Sequence, residues 1–252
     1  MTMPETLLFW ITATVAAFFV GATKGGLPAV AMLSVPLLSL VMSPLEGAAL
    51  LLPVYIVSDI YGLWIYRRSF SRRNLYILFP AGLIGIVAAW LLAGWTDDDA
   101  VRLAVGIVGL GFVAMRMWTR IRGASEPHPA RVPQGLFWGA ISGFTSFVAH
   151  AGGPAFQIYV IPQQLPKMVF AGTSTILFAL LNLAKVPPYI ALDLFDVHQL
   201  RQAAILTPIA VFGAWIGYRI TQILPERLFF FAVEAALLVL SLLLIRAGWP
   251  MG

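Results

Sequence analysis

Apolar residues fall along this chain in long blocks separated by short polar loops. The blocks lie at roughly 7–22, 25–43, 46–66, 75–95, 100–118, 134–150, 152–165, 168–190, 200–220 and 227–246. Crossing the hydrocarbon core of a bilayer as a helix takes about 20 predominantly apolar residues. The pattern therefore predicts an all-α polytopic membrane protein with eight to ten membrane segments. The count depends on the short blocks beside two glycine-rich interruptions, which are either full spans or the arms of broken or re-entrant helices.

The first interruption reads Gly21-Ala22-Thr23-Lys24-Gly25-Gly26-Leu27-Pro28 and the second Phe147-Val148-Ala149-His150-Ala151-Gly152-Gly153-Pro154. Backbone groups in lipid must be satisfied internally, so irregular backbone is tolerated only where protein or a water-filled cavity surrounds it. Paired interruptions at corresponding positions of two halves point to a transporter's binding site.

Composition agrees with a chain that sits mostly in lipid. It has 252 residues, 60% hydrophobic and 11% charged, with a mean hydropathy of +0.88. A soluble domain would carry about a quarter of its residues as charges. The net charge of +5 lies in short loops and reads as a topology signal rather than as a nucleic-acid footprint. Cysteine is absent, which excludes disulfides, thiol chemistry and Cys-ligated metals. Met1 to Glu5 lack the basic region of a cleaved signal peptide, so the first apolar segment is expected to be retained.

Lys and Arg in short loops set orientation. Loop 67–74 holds Arg67, Arg68, Arg72 and Arg73 and is placed in the cytoplasm, whereas Asp97, Asp98 and Asp99 mark an outside loop. Loop 119–133 returns to the cytoplasm, the acidic loop 191–199 lies outside, and Arg219 and Arg227 flank a cytoplasmic loop. Both termini then fall outside.

The two halves resemble one another. Gly25-Gly26 matches Gly152-Gly153, Pro28 matches Pro154, Pro36 matches Pro162, Gly47 matches Gly172, Phe70 matches Phe195 and Leu75 matches Leu200. Matched loops carry opposite charge and so lie on opposite sides, which predicts two inverted-topology repeats. The expected organisation is a first transmembrane repeat over 1–122, a cytoplasmic linker over 123–133 and a second repeat over 134–252.

A proline just after a Gly-Gly break suits the first turn of a new helix. Such a helix begins inside the protein with free N–H groups and a positive dipole end, which together bind anions. Two inverted breaks would aim two such ends at one point. The expected site therefore contains Thr23, Lys24, Gly25, Gly26, His150, Gly152, Gly153, Gln157 and Asn182. The competing reading is that the glycines only let helices approach closely, that Lys24 snorkels to an interface and that His150 caps a helix. Asp59 is the candidate for proton coupling, with a structural ion pair as its alternative, and Glu234 is a second intramembrane acid. Asn182 and Lys185, one turn apart, share a helix face that would line the pathway. Pro187-Pro188 is expected to break or end that helix.

The stretches Gly21 through Pro28 and Gly139 through Pro154, with Pro36 and Pro162 and the duplicated layout, resemble the TauE/SafE family of membrane permeases, the sulfite exporters. The resemblance implies plasma-membrane transport of small anions, such as sulfite, organosulfonates or related sulfur-containing acids, with no cofactor and no metal. The second break departs from the first by losing one residue and the lysine. The expected function is a secondary transporter, in the exporting direction, working by alternating access. The expected partners are a small anion and the lipid bilayer, with a homodimer left open and no nucleic acid. The alternatives are a passive anion channel, and an intramembrane serine protease built on Gly172-Thr173-Ser174 with His150 or His198.

Overall fold

The computed structural model describes residues 6–24, 28–93, 97–122, 129–223 and 226–249. Those residues form helices joined by short loops, with no strand among them. The order is α1 (Leu7–Lys24), a 3-10 turn (Pro28–Leu33) running into α2 (Ser34–Leu38), α3 (Pro44–Tyr66), α4 (Arg72–Ala93) and α5 (Asp98–Arg122). Then follow α6 (Val132–Ala149), α7 (Gly153–Val160) running into a 3-10 turn (Ile161–Gln163), α8 (Lys167–Ala191), α9 (Val197–Ile223) and α10 (Glu226–Gly248). Each half thus reads long helix, short broken piece, three long helices. Among the described residues, five helices, α1, α3, α4, α8 and α9, are long and apolar enough to cross a membrane.

The block at 25–43 is not one long helix. It resolves into a six-residue 3-10 turn and a five-residue helix, and the block at 152–165 into pieces of eight and three residues. Prolines explain this, because Pro28, Pro36, Pro154 and Pro162 each lack the N–H that would extend an α-helical ladder. Eight helical residues span about 12 Å, well short of the hydrocarbon thickness. Elsewhere proline is accommodated. Pro53, Pro80 and Pro208 lie inside α3, α4 and α9. Pro187 and Pro188 do not stop α8 where they stand, since the helix carries through both to Ala191. They fall within its last two turns, so only two ladder bonds are lost while φ remains helical.

The long helices meet across the halves through small residues. A Cβ at Gly143 would fall on the backbone of Gly82, and one at Gly85 on the backbone of Ala140 and Phe144. These contacts, with Gly139 on Leu78, make α4 and α6 a parallel pair. The α1/α9 pair is built alike, with Gly213 against Phe18 and Gly217 against Ala22. By contrast α3 and α8 run antiparallel: Asp59 meets Asn182, Gly62 meets Thr175, and Gly172 meets Tyr66 and Ser69. α5 and α10 are antiparallel too, with Gly109 on Ser241 and Gly248 on Asp99. In lipid there is little hydrophobic gain between helices, so close approach of small residues supplies much of the association.

The centre is formed by α3 and α8 with the ends of α1 and α6. On α3 Asp59 is 2% exposed while the adjacent Ile60 is 64% exposed. One face of this helix is therefore turned inward and polar, the other outward and apolar. Glu234 lies on α10, outside this centre, and pairs with Arg120 of α5 at 2.9 Å, which gives it a structural partner.

Candidate functional site

Lys24 is the last residue of α1, at the edge of the first break. Its Nζ lies 2.5 Å from Asp59 Oδ1. The other carboxylate oxygen accepts a hydrogen bond from Asn182 Nδ2 at 2.6 Å. The lysine therefore turns inward instead of snorkelling, and Asp59 forms an ion pair with it. An ammonium has three donors, and among the described residues one is used here, on a side chain that is 19% exposed.

The second break carries its own cation, supplied from a different element. Lys185 of α8 is fully buried. Its Nζ donates to Ser146 O at 3.1 Å and Ser146 Oγ at 3.2 Å and lies 2.8 Å from His150 Nδ1. Three donors meet three acceptors, which is the condition for holding a charge away from water. His150 Nε2 sits 2.9 Å from Ala48 O. A carbonyl only accepts, so Nε2 carries the proton and Nδ1 receives the bond from Lys185. The two bonded groups, Lys24–Asp59–Asn182 and Lys185–Ser146–His150, together set one carboxylate against two lysines. Asp59 also lies within electrostatic reach of Lys185.

His150 ends α6 with φ 50°, in the left-handed region. That conformation is uncommon for a residue with a Cβ, though less so for His than for most. It lets the Ala151 N–H turn back to Thr145 O at 3.1 Å and swings the imidazole toward α3. There the ring stacks on Tyr55, with centroids 4.4 Å apart. His150 therefore both caps the helix and joins the polar cluster. Both of its ring nitrogens are engaged, by Lys185 and Ala48, so neither serves Ser174 as a base.

The two glycines of the second break have different jobs. Gly152 is a close-approach residue: a Cβ would lie 2.6 Å from Ser142 O and 2.7 Å from the Phe178 ring, and its carbonyl accepts from Ser142 Oγ at 2.8 Å. Gly153 begins α7, and a Cβ there would meet nothing within 4 Å. Packing accounts for Gly152 and not for Gly153. Gly25 and Gly26 lie outside the described residues.

The remaining expected residues stand apart. Thr23 Oγ1 donates to Val20 O at 2.6 Å within its own helix, the usual fate of a helical threonine. Gln157 lies on α7, half-buried, and no side-chain hydrogen bond joins it to the cluster among the described residues. A cavity of about 300 Å³ lies beside the second break, lined by Phe112, Met115, Trp138, Ile141, Pro154 and Ala155 among others. Its walls are almost wholly apolar, so it offers an anion few donors and is not the polar cluster.

The sequence pattern puts Lys185 on the pathway face but not in the expected site, and it does not point to Ser34. Tyr55 sits one helical turn before Asp59 and so shares its face.

The family model described as "Sulfite exporter TauE/SafE" matches residues 13–244. No curated protein and no solved structure matches the chain. A match running through both breaks and all the long helices places this chain in the sulfite exporter TauE/SafE family of membrane transport proteins.

Proposed function

We propose that this protein is a secondary transporter that carries small sulfur-containing anions, such as sulfite or organosulfonates, outward across the cytoplasmic membrane by alternating access. The observation that carries this reading is the pair of bonded groups at the α3/α8 crossing, which set two lysines against one carboxylate. A buried excess of positive charge is costly on its own, and a bound anion offsets it. Lys24 brings N–H donors to the ligand, while the other half contributes a second lysine, Lys185, held in place by the neutral His150 ring.

The reading takes the chain as two inverted repeats, 1–122 and 134–252, joined by the linker 123–133, with both termini outside. The repeated element order supports it. So does the antiparallel course of the corresponding helices α3 and α8, and of α5 and α10. Leu75 and Leu200, matched in sequence, are each the fourth residue of their helix. Lys185 stands in for the lysine that the second break lacks. Rocking of one half against the other would open the cluster to alternate sides.

Asp59 and the substrate compete for Lys24. Protonation of Asp59 would release the ammonium to the anion, so proton and anion would be taken up together. Asp59→Asn should then make flux independent of pH.

Proteoliposomes test the transport reading. Sulfite, taurine or sulfoacetate flux should saturate and show counterflow. Absence of flux for all three defeats the substrate class, and non-saturating conduction without counterflow indicates a channel instead. In the same vesicles, single cysteines at positions 70 and 195 should label from opposite sides, and labelling from one side contradicts inversion. The chain has no native cysteine to interfere.

A further inference from the structure

Two buried hydroxyls beside the cluster make no well-formed hydrogen bond among the described residues. Ser34 Oγ is on α2, the short helix that follows the first break, and the residue is 0% exposed; the Tyr55 hydroxyl is on α3, and that residue is 6% exposed. They are neighbours close enough to interact as a side-chain hydrogen bond, although its distance and angle satisfy neither hydroxyl. Asp59 is within electrostatic reach of the phenol, one turn along the same helix face. The Tyr55 ring rests on His150.

Buried polar atoms without partners are rare, because each forfeits its hydrogen bonds to water on folding. Two together, with the phenol lying between Asp59 on its own helix face and the His150 ring, are not accounted for by packing. A hydroxyl left unsatisfied by the protein is ready to donate to a ligand.

We infer that Ser34 and Tyr55 form the oxygen-binding half of the anion site, donating their hydroxyl protons to oxygens of a sulfoxy anion whose charge is held by Lys24. This rests on the transport reading above and adds to it what the lysines cannot supply. An ammonium is a point charge, indifferent to ligand shape, whereas two hydroxyls at fixed positions on different elements require a ligand with acceptor oxygens at matching separation. The placement also links binding to motion, since Ser34 belongs to the broken piece and Tyr55 to a long helix. A ligand bonded to both ties the two together.

Equilibrium binding of sulfite to the full chain in detergent, measured by calorimetry beside thermal unfolding without ligand, tests the inference. Tyr55→Phe keeps the ring on His150 and removes the hydroxyl, and Ser34→Ala removes the other. Each should weaken sulfite binding by about tenfold or more, as expected for a lost hydrogen bond to a charged group. Neither should lower the unfolding temperature, because the deleted group has no well-formed hydrogen bond to lose. Tyr159 supplies the control. Its hydroxyl is also buried and unpartnered, but it lies against Gly135 at the far end of α6. Tyr159→Phe should leave sulfite affinity unchanged. If wild type binds and both cluster variants bind equally well, the inference falls and the transport reading stands. If the variants lose binding together with several degrees of unfolding temperature, the hydroxyls are structural and the inference falls. If wild type binds no sulfite at all, the sulfur-anion reading fails and the inference fails with it.

Discussion

Lys24→Met is expected to abolish anion flux and to destabilise the protein by about 3 kcal/mol, the lower end of the range for removing one partner of a buried ion pair. The physical cause is the carboxylate it leaves behind. The Asp59 side chain is 3% exposed, and without Lys24 it keeps, among the described residues, only the Asn182 amide as a hydrogen-bond partner. Lys24 itself is 19% exposed, so water can reach the vacated position and soften the cost. Adding Asp59→Asn removes the stranded charge. The double variant should therefore recover most of the stability, because a buried pair contributes little net free energy over neutral groups of similar shape. Flux should not recover, since the ammonium donors are gone. Thermal unfolding and vesicle flux on the three variants separate the two roles. Flux of wild-type affinity in Lys24→Met would remove the residue from the site.

Gly143→Leu is the substitution expected to do most harm to the fold. The added side chain would start on the backbone of Gly82. No rotamer of a neighbour relieves a clash with backbone, so α4 and α6 would have to part along their length. Overpacking of a flexible core costs about 1–3 kcal/mol, and a clash against backbone at a helix seam should exceed about 4 kcal/mol. The expected result is loss of the monodisperse peak on size-exclusion chromatography. Gly111→Ala is the matched control, because a Cβ there meets nothing within 4 Å, and it should run as wild type. Recovery of Gly143→Leu as stable protein would show that the seam is not tightly closed.

What could be read from the sequence followed the range of the interactions involved. Helices and their limits were legible because apolar length and proline act locally: the blocks at 46–66 and 168–190 coincide closely with α3 and α8. The short broken pieces were legible as interruptions, since Gly and Pro act on their own backbone. Their lengths were not, and the block at 25–43 could have been a full span. Lys24, Asp59, His150 and Asn182 were each singled out as polar residues in apolar surroundings, which is a one-residue signal. Their partnerships were not legible. Lys24 meets Asp59 across 35 positions and Lys185 meets His150 across another 35, and only the tertiary fold sets such distances. The same limit hid Ser34 and Tyr55, two ordinary residue types whose interest lies in hydroxyls that no well-formed hydrogen bond satisfies among the described residues. The packing reading of the glycines holds for Gly152, which is tightly packed, whereas a Cβ at Gly153 would meet open space.

The central claim is that an anion sits between the two halves, against Lys24 and the neighbouring hydroxyls. Selenite, a heavier analogue of sulfite with a strong anomalous signal, locates that anion directly in crystals of the full chain. The account predicts a selenium peak within hydrogen-bonding reach, about 3–4 Å from selenium to donor, of Lys24 Nζ and the Tyr55 hydroxyl. A peak elsewhere in the protein, or bound selenite that leaves Lys24 paired only with Asp59, would contradict it.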